Sequence, residues 1–190
     1  MQFVWRVIAI ARGFRLAREF KEIESLIGSL NRQNQQQLGW FELNRSISDG
    51  ISWVRPNCMA AGIRLEESLQ PDLPQVYGDS LLFQQVVVNL LKNSYEALVN
   101  QDEGTRCIRV DSLRCADGRP ACRISDNGPG IAPDIAARLF DPFFTTKAGG
   151  MGLGLKISRA IIEDSGGSLT LEPAASGTSV LIRLPGTTTQ

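Results

Sequence analysis

Residues 107–130, CIRVDSLRCADGRPACRISDNGPG, decide the architecture. Cys107 to Leu113 and Ala121 to Ser125 read as two strands. Ala116-Asp117-Gly118-Arg119 joins them, and its Asp-Gly is a hairpin signal. Working upstream, Asp79 to Val99 has a helical period. Phe83, Val87, Leu90, Leu91, Ser94 and Leu98 line one side, and Gln85, Asn89, Lys92, Asn93 and Glu96 line another. Downstream, Leu153 to Ser165 reads as a helix. Ser168 to Leu171 and Ser179 to Leu184 then alternate as a closing hairpin that stops at Pro185. Antiparallel strands segregated from helices predict an α+β fold rather than a doubly wound one.

The remaining chain is less regular. Ser48 to Ala61 reads as a helix, although Pro56 opposes a helix interior. Gly62 to Glu66 alternates like a strand, and Pro71 to Pro74 is a loop. Gly128 to Gly150 is too rich in Gly and Pro for one regular element. From Phe3 to about Gln37 there is no proline. Phe3, Val7, Ile10, Phe14 and Ala17 form one helical stripe, and Leu16, Phe20, Ile23, Ile27 and Leu30 form a second. Paired stripes of this length fit a helix that packs on another helix, within the chain or across a homodimer. Gly13 and Gly28 each weaken it by about 1 kcal/mol relative to Ala. The expected division is a helical, dimerisation-like segment over residues 1–42 and a second domain over residues 43–190.

Composition excludes several function classes. Lys plus Arg and Asp plus Glu number 20 each in 190 residues, a balance that gives no electrostatic footprint for nucleic acid. Hydrophobic residues make up 43%, enough for a packed core. Cys58, Cys107, Cys115 and Cys122 show no CxxC pairing, and with no histidine in the chain a conventional zinc finger is excluded. Phe3 to Ala11 is interrupted by Arg6 and is too short for a membrane span of about 20 apolar residues. The chain as given reads as soluble and cytoplasmic.

The chemistry lies in four blocks. Asn89, Lys92, Asn93 and Glu96 are spaced i, i+3, i+4, i+7 and share a helix face. Asparagine oxygens are hard, neutral ligands suited to Mg²⁺, and a neighbouring lysine can neutralise phosphate. Taken alone, the same face is equally that of an ordinary amphipathic helix. Asp126 follows an apolar strand and precedes Asn127-Gly128-Pro129-Gly130. Its carboxylate can accept from the adenine amino group, where guanine would offer an acceptor instead; a simple turn is the alternative. Gly149 to Leu155 runs straight into a helix, whose freed amides and positive N-terminus make a phosphate cradle. Between these sites lies a stretch of roughly 20 residues containing Pro133, Pro142 and Lys147, long enough to be functional and to act as a lid.

In this order and spacing, Asn89–Asn93, Asp126–Gly130, Phe140–Lys147 and Gly150–Gly154 resemble the asparagine, first glycine, phenylalanine and second glycine boxes of sensor histidine kinases. Gly177-Thr178 resembles that family's closing Gly-Thr, and the likeness covers about Leu43 to Pro185. The resemblance implies a Bergerat sandwich: a mixed, mostly antiparallel sheet on one layer of helices. It implies an ATP-binding catalytic domain with ATP and Mg²⁺ as cofactors. Asn93 would hold the metal, with Asn89 beside it at the phosphates. Asp126 would bind the adenine amino group, supported through water by Thr178. The nucleotide-binding set so implied is Asn89, Lys92, Asn93, Asp126, Gly128, Gly130, Ile131, Thr146, Lys147, Gly150, Met151, Gly152, Leu153, Gly154 and Thr178. Ala17 to Gln37 would fall where the family places the second helix of its dimerisation and phosphoacceptor hairpin.

Two departures stand out. The helix carrying an acceptor His is absent, so the histidine must come from another segment or chain, with a response regulator downstream. Ser165-Gly166-Gly167 stands where His-Gly-Gly is frequent. Gyrase-type ATPases of the same fold place a Glu one turn before the metal-binding Asn as base for water. Here that position is Asn89, which cannot take a proton, and Glu96, one turn to the other side, is a less natural base. The catalytic candidates are therefore Asn89 and Glu96, and the expected activity is protein-histidine kinase rather than hydrolase. The competing expectation is a catalytically silent nucleotide-binding regulatory or scaffold module acting through its N-terminal helix.

Overall fold

The computed structural model describes residues 38–102, 104–141, 144–145 and 152–186. Contacts divide the chain into Met1–Leu38 and Gly39–Gln190, and every described strand and helix lies in the second unit. The helix expected between Phe3 and Gln37, with the homodimer it would form, lies outside the described residues.

Helix α1 spans Leu43–Ala60 because Leu43, Ile47, Ile51, Val54 and Cys58 form one buried stripe. It begins five residues before the expected Ser48, since Leu43 and Ile47 extend the same stripe. Pro56 lies inside it, as in the expected helix. The missing N–H would have met the Ser52 carbonyl, and both residues are exposed, so water can serve that carbonyl. Gly62, with φ 64°, ends the helix: its N–H donates to the Met59 carbonyl at 3.2 Å, and the Ile63 N–H donates to the Cys58 carbonyl at 2.8 Å. Gly62 is thus a helix stop. The strand expected from it begins two residues later, as β2 over Arg64–Leu69.

Two three-residue strands, β1 at Gly39–Phe41 and β3 at Val76–Gly78, pair antiparallel in a small separate sheet. Helix α2, Ser80–Leu98, is capped by Asp79, whose Oδ1 accepts from the Leu81 and Leu82 amides at 2.9 and 3.1 Å. Its buried face is the expected stripe with Val86 added. Strands β4, Cys107–Arg114, and β5, Pro120–Asp126, form the expected hairpin around Asp117-Gly118. A single helical turn, α3, occupies Pro133–Ala136. Helix α4, Gly154–Asp164, and the hairpin of β6, Ser168–Glu172, with β7, Thr178–Arg183, complete the domain.

The main sheet has the order β2-β4-β5-β7-β6. β2 runs parallel to β4 and all other pairs are antiparallel, giving the mixed, mostly antiparallel sheet expected. The registers place Ile108, Val110, Cys122, Ile124, Val180 and Ile182 on one face, and this face packs into the core with α1, α2 and α4. α1 lies beside β2, α2 crosses β4 and β5, and α4 lies against β6. That placement sets the polar face of α2 beside the C-terminal end of β5 and the start of α4. Among the described residues, no helix is long and apolar enough to cross a membrane.

Candidate functional site

Asp126 is the last residue of β5, the middle strand of the sheet. It is 7% exposed, so its carboxylate needs partners. Oδ1 accepts from the Gly128 amide at 3.0 Å and the Thr178 amide at 3.2 Å. Oδ2 accepts from the Ser94 hydroxyl of α2 at 2.9 Å. Burial pushes this carboxyl above the ordinary range, and the bonds from Ser94, Gly128 and Thr178 oppose that rise. Each carboxylate oxygen accepts about two hydrogen bonds, so capacity remains on Oδ2. An amino group is the complement of such an atom.

Around Asp126 the chain approaches backbone to backbone. A Cβ on Gly177 would collide with the Asp126 carbonyl, and one on Gly130 would stand 3.1 Å from the Gly177 carbonyl oxygen. Thr178, the first residue of β7, reaches Asp126 directly through its main-chain N–H. Asn127 turns the other way, accepting from the Cys107 amide at 2.8 Å and donating to the Thr105 carbonyl. It secures the start of β4, while Gly128 faces the carboxylate. Ile131 follows, half-buried.

The second part of the site is one turn and more away along α2. Asn89 and Asn93 are half-buried, Lys92 is exposed, and Lys92 Nζ lies 3.9 Å from Glu96. Asn89 Nδ2 donates to the Ser158 hydroxyl of α4 at 2.9 Å. On its other side, a Cβ at Gly154 would stand 2.8 Å from Asn89 Oδ1. The amide is therefore wedged between Ser158 and the first residue of α4, and any side chain at residue 154 would displace it. Leu153 stands at the N-cap and gives no side-chain hydrogen bond, so no cap side chain competes for the first-turn amides. Five residues separate Asn89 from Ser94, about 7.5 Å along the helix axis. α2 thus spaces the amide at one end from the buried carboxylate at the other.

The loop between the two parts is tied at its described positions. Phe140 packs on the core and carries the Arg159 guanidinium of α4 4.9 Å over its ring; Arg138 lies 4.4 Å over the Phe144 ring. Gly152, Leu153 and Gly154 stand at the start of α4, with Leu153 buried. Thr146, Lys147, Gly150 and Met151 lie outside the described residues.

Two participants were missed by reading the sequence, Ser94 and Ser158. Both are buried hydroxyls that bridge α2 to another element. Ser94 left a signal: it is the one hydroxyl in an otherwise apolar stripe, and a buried hydroxyl needs a partner.

A mixed sheet on one helix layer, a buried carboxylate at the end of its middle strand and an uncapped helix packed against Asn89 define an ATP-binding sandwich domain. Residues 78–188 match the family of histidine kinase-, DNA gyrase B- and HSP90-like ATPases, and the chain belongs to that family. It is 42% identical over 122 residues to the C4-dicarboxylate transport sensor protein DctB of Rhizobium meliloti (strain 1021), covering 64% of this chain and 19% of that protein. It is 33% identical over 157 residues to the sensory histidine kinase/phosphatase NtrB of Rhizobium leguminosarum bv. phaseoli, covering 74% and 39%. The chain thus spans well under half the length of these relatives. Among solved structures, it resembles the catalytic domain of histidine kinase ThkA, with a TM-score of 0.70 and 28% identity over 79% of this chain and 96% of that one. The mycobacterial sensor histidine kinase MprB gives 0.68 and 30%, over 78% and 97%.

Proposed function

We propose that this chain is the ATP-binding catalytic module of a two-component sensor histidine kinase. It passes the γ-phosphoryl of ATP to a histidine on another segment or chain. The observation that carries this reading is the neutral amide of Asn89, held between Ser158 and Gly154. A hydrolase of this fold needs a proton acceptor at that place, and an amide cannot serve. The sequence likeness to sensor kinases points the same way.

The residues fit the nucleotide. Asp126 Oδ2 retains capacity for the adenine amino group, and Gly128, Gly130 and Gly177 let the backbone close tightly around that carboxylate. Gly152 and Gly154 open α4, whose first-turn amides suit phosphate oxygens. Asn93 and Asn89 supply neutral oxygens suited to Mg²⁺, and Lys92 adds positive charge near the phosphates. When bound, Mg²⁺ neutralises the polyphosphate and orients it for in-line attack. The attacking imidazole nitrogen forms the N–P bond as the bond from phosphorus to the bridging oxygen breaks, and ADP leaves with that electron pair. Thr146, Lys147, Gly150 and Met151 belong to the same site by sequence. The homodimer through Phe3 to Leu30 and the response regulator that receives the phosphoryl group are part of the same proposal.

The test is incubation of the chain with Mg-ATP labelled at the γ position and a separate domain bearing an acceptor histidine. Acid-labile, alkali-stable label on that domain, lost with Asp126→Asn, is expected. Measurable ATP binding without any transfer would reject the kinase reading.

A further inference from the structure

Resting on that reading of Asn89, we infer that Ser158 is a positioning residue for the metal-linked phosphates. Ser158 is 2% exposed, and its hydroxyl lies 2.9 Å from Asn89 Nδ2. It sits one turn into α4, so this bond joins α2, which carries both asparagines, to the helix whose N-terminus faces the phosphates.

A serine hydroxyl can accept or donate, so what Ser158 fixes is the place of the Asn89 amide rather than its polarity. With Nδ2 engaged by Ser158, Oδ1 faces Gly154, at 2.8 Å from where a Cβ would stand. That side holds the uncapped first turn of α4, where an oxygen is welcome and a second N–H is not. Ser158 therefore anchors the Asn89 amide against α4, with its oxygen on the phosphate side. Without the hydroxyl that anchor is lost, the Asn89 side chain samples other rotamers, and its oxygen is held less firmly on that side. The adenine end, built on Ser94, Asp126 and Thr178, shares no hydrogen bond with Ser158 among the described residues and should not respond.

The experiment is calorimetry of the full 190-residue chain with ADP in EDTA and with a non-hydrolysable ATP analogue in Mg²⁺. It uses the wild type, Ser158→Ala, Asn89→Ala and the double variant, with thermal unfolding of each as a fold check. Ser158→Ala is expected to weaken the Mg²⁺-dependent binding about 5- to 10-fold, the size of one lost hydrogen bond, and to leave ADP binding in EDTA unchanged. In the Asn89→Ala background it should add nothing, because its effect runs through Asn89. A Ser158→Ala loss that is equal with and without Mg²⁺, or that persists in the Asn89→Ala background, overturns the inference. So does a wild-type Ser158→Ala beside a weakened Asn89→Ala. If Asn89→Ala itself binds like the wild type, the phosphate-side reading of Asn89 falls, and this inference with it.

Discussion

Ser94 and Asp126 form a buried hydrogen bond of 2.9 Å that joins α2 to the end of β5. The bond locks the helix carrying Asn89 and Asn93 to the strand that ends in the buried carboxylate of Asp126. Removing it with Ser94→Ala leaves one oxygen of a buried carboxylate short of a donor. The expected cost is about 1–3 kcal/mol in urea unfolding, as for hydrogen bonds to charged groups. ADP affinity should fall with it, because the carboxylate loses its orientation. An unchanged unfolding midpoint and ADP affinity would contradict the role assigned to Ser94.

Asp126→Asn separates stability from binding. Burial raises the Asp126 carboxyl above its ordinary pKa, so the folded chain holds this proton more tightly than the unfolded one. Its contribution to stability is then fullest below the unfolded pKa and is lost as pH rises through the folded value. At neutral pH the buried charge is a cost, and an isosteric amide removes it. Asp126→Asn should unfold no more readily than the wild type at pH 7 while losing adenine-nucleotide binding by about 100-fold, more than a neutral hydrogen bond would account for. In the wild type, acidification should weaken ADP binding from a higher pH than an unshifted carboxylate would give. Calorimetry across pH 4 to 8, roughly the range around carboxylate titration, checks both.

Gly177→Ala tests the backbone approach at the same place. A methyl group there meets the Asp126 carbonyl, and the φ of 70° adds strain for any L side chain. Neither backbone can retreat without breaking the β5–β7 register. A loss of about 2 kcal/mol or more in unfolding free energy is expected. Wild-type stability for this variant would show that the two strands do not meet as described.

Asn93→Ala should abolish the Mg²⁺-dependent increment in nucleotide binding and leave the fold intact. Asn93 is half-buried, so a small loss of stability should accompany the change. Equal affinity for Mg-ATP in wild type and variant would remove Asn93 from the metal role.

Much of this was legible in the residues themselves. The stripe Phe83, Val87, Leu90, Leu91, Ser94 and Leu98 named the buried face of α2, and the Asp117-Gly118 turn named the β4–β5 hairpin, because both signals are local and periodic. β1 and β3 were not legible: three residues give no period, and their pairing depends on a partner almost 40 positions away, Gly39 against Gly78. Pro56 weakened the reading of α1 without ending the helix, because its cost depends on which side of α1 it faces. Gly62 misled because a left-handed helix stop and the start of a strand share the same letters. At the site, Asp126 and Asn89 announced themselves by residue type. Ser158 did not, since only the crossing of α4 over α2 gives its hydroxyl a partner.

The central claim is that this cage moves phosphoryl to nitrogen rather than to water. One reaction measures it: the chain, Mg-ATP labelled at the γ position and a histidine-bearing acceptor domain, with phosphohistidine and free phosphate counted together over time. The account predicts that phosphohistidine forms first and exceeds free phosphate released at the same time, and that omitting the acceptor leaves only slow phosphate release. Free phosphate produced at the same rate with or without the acceptor, and no phosphohistidine, would contradict it.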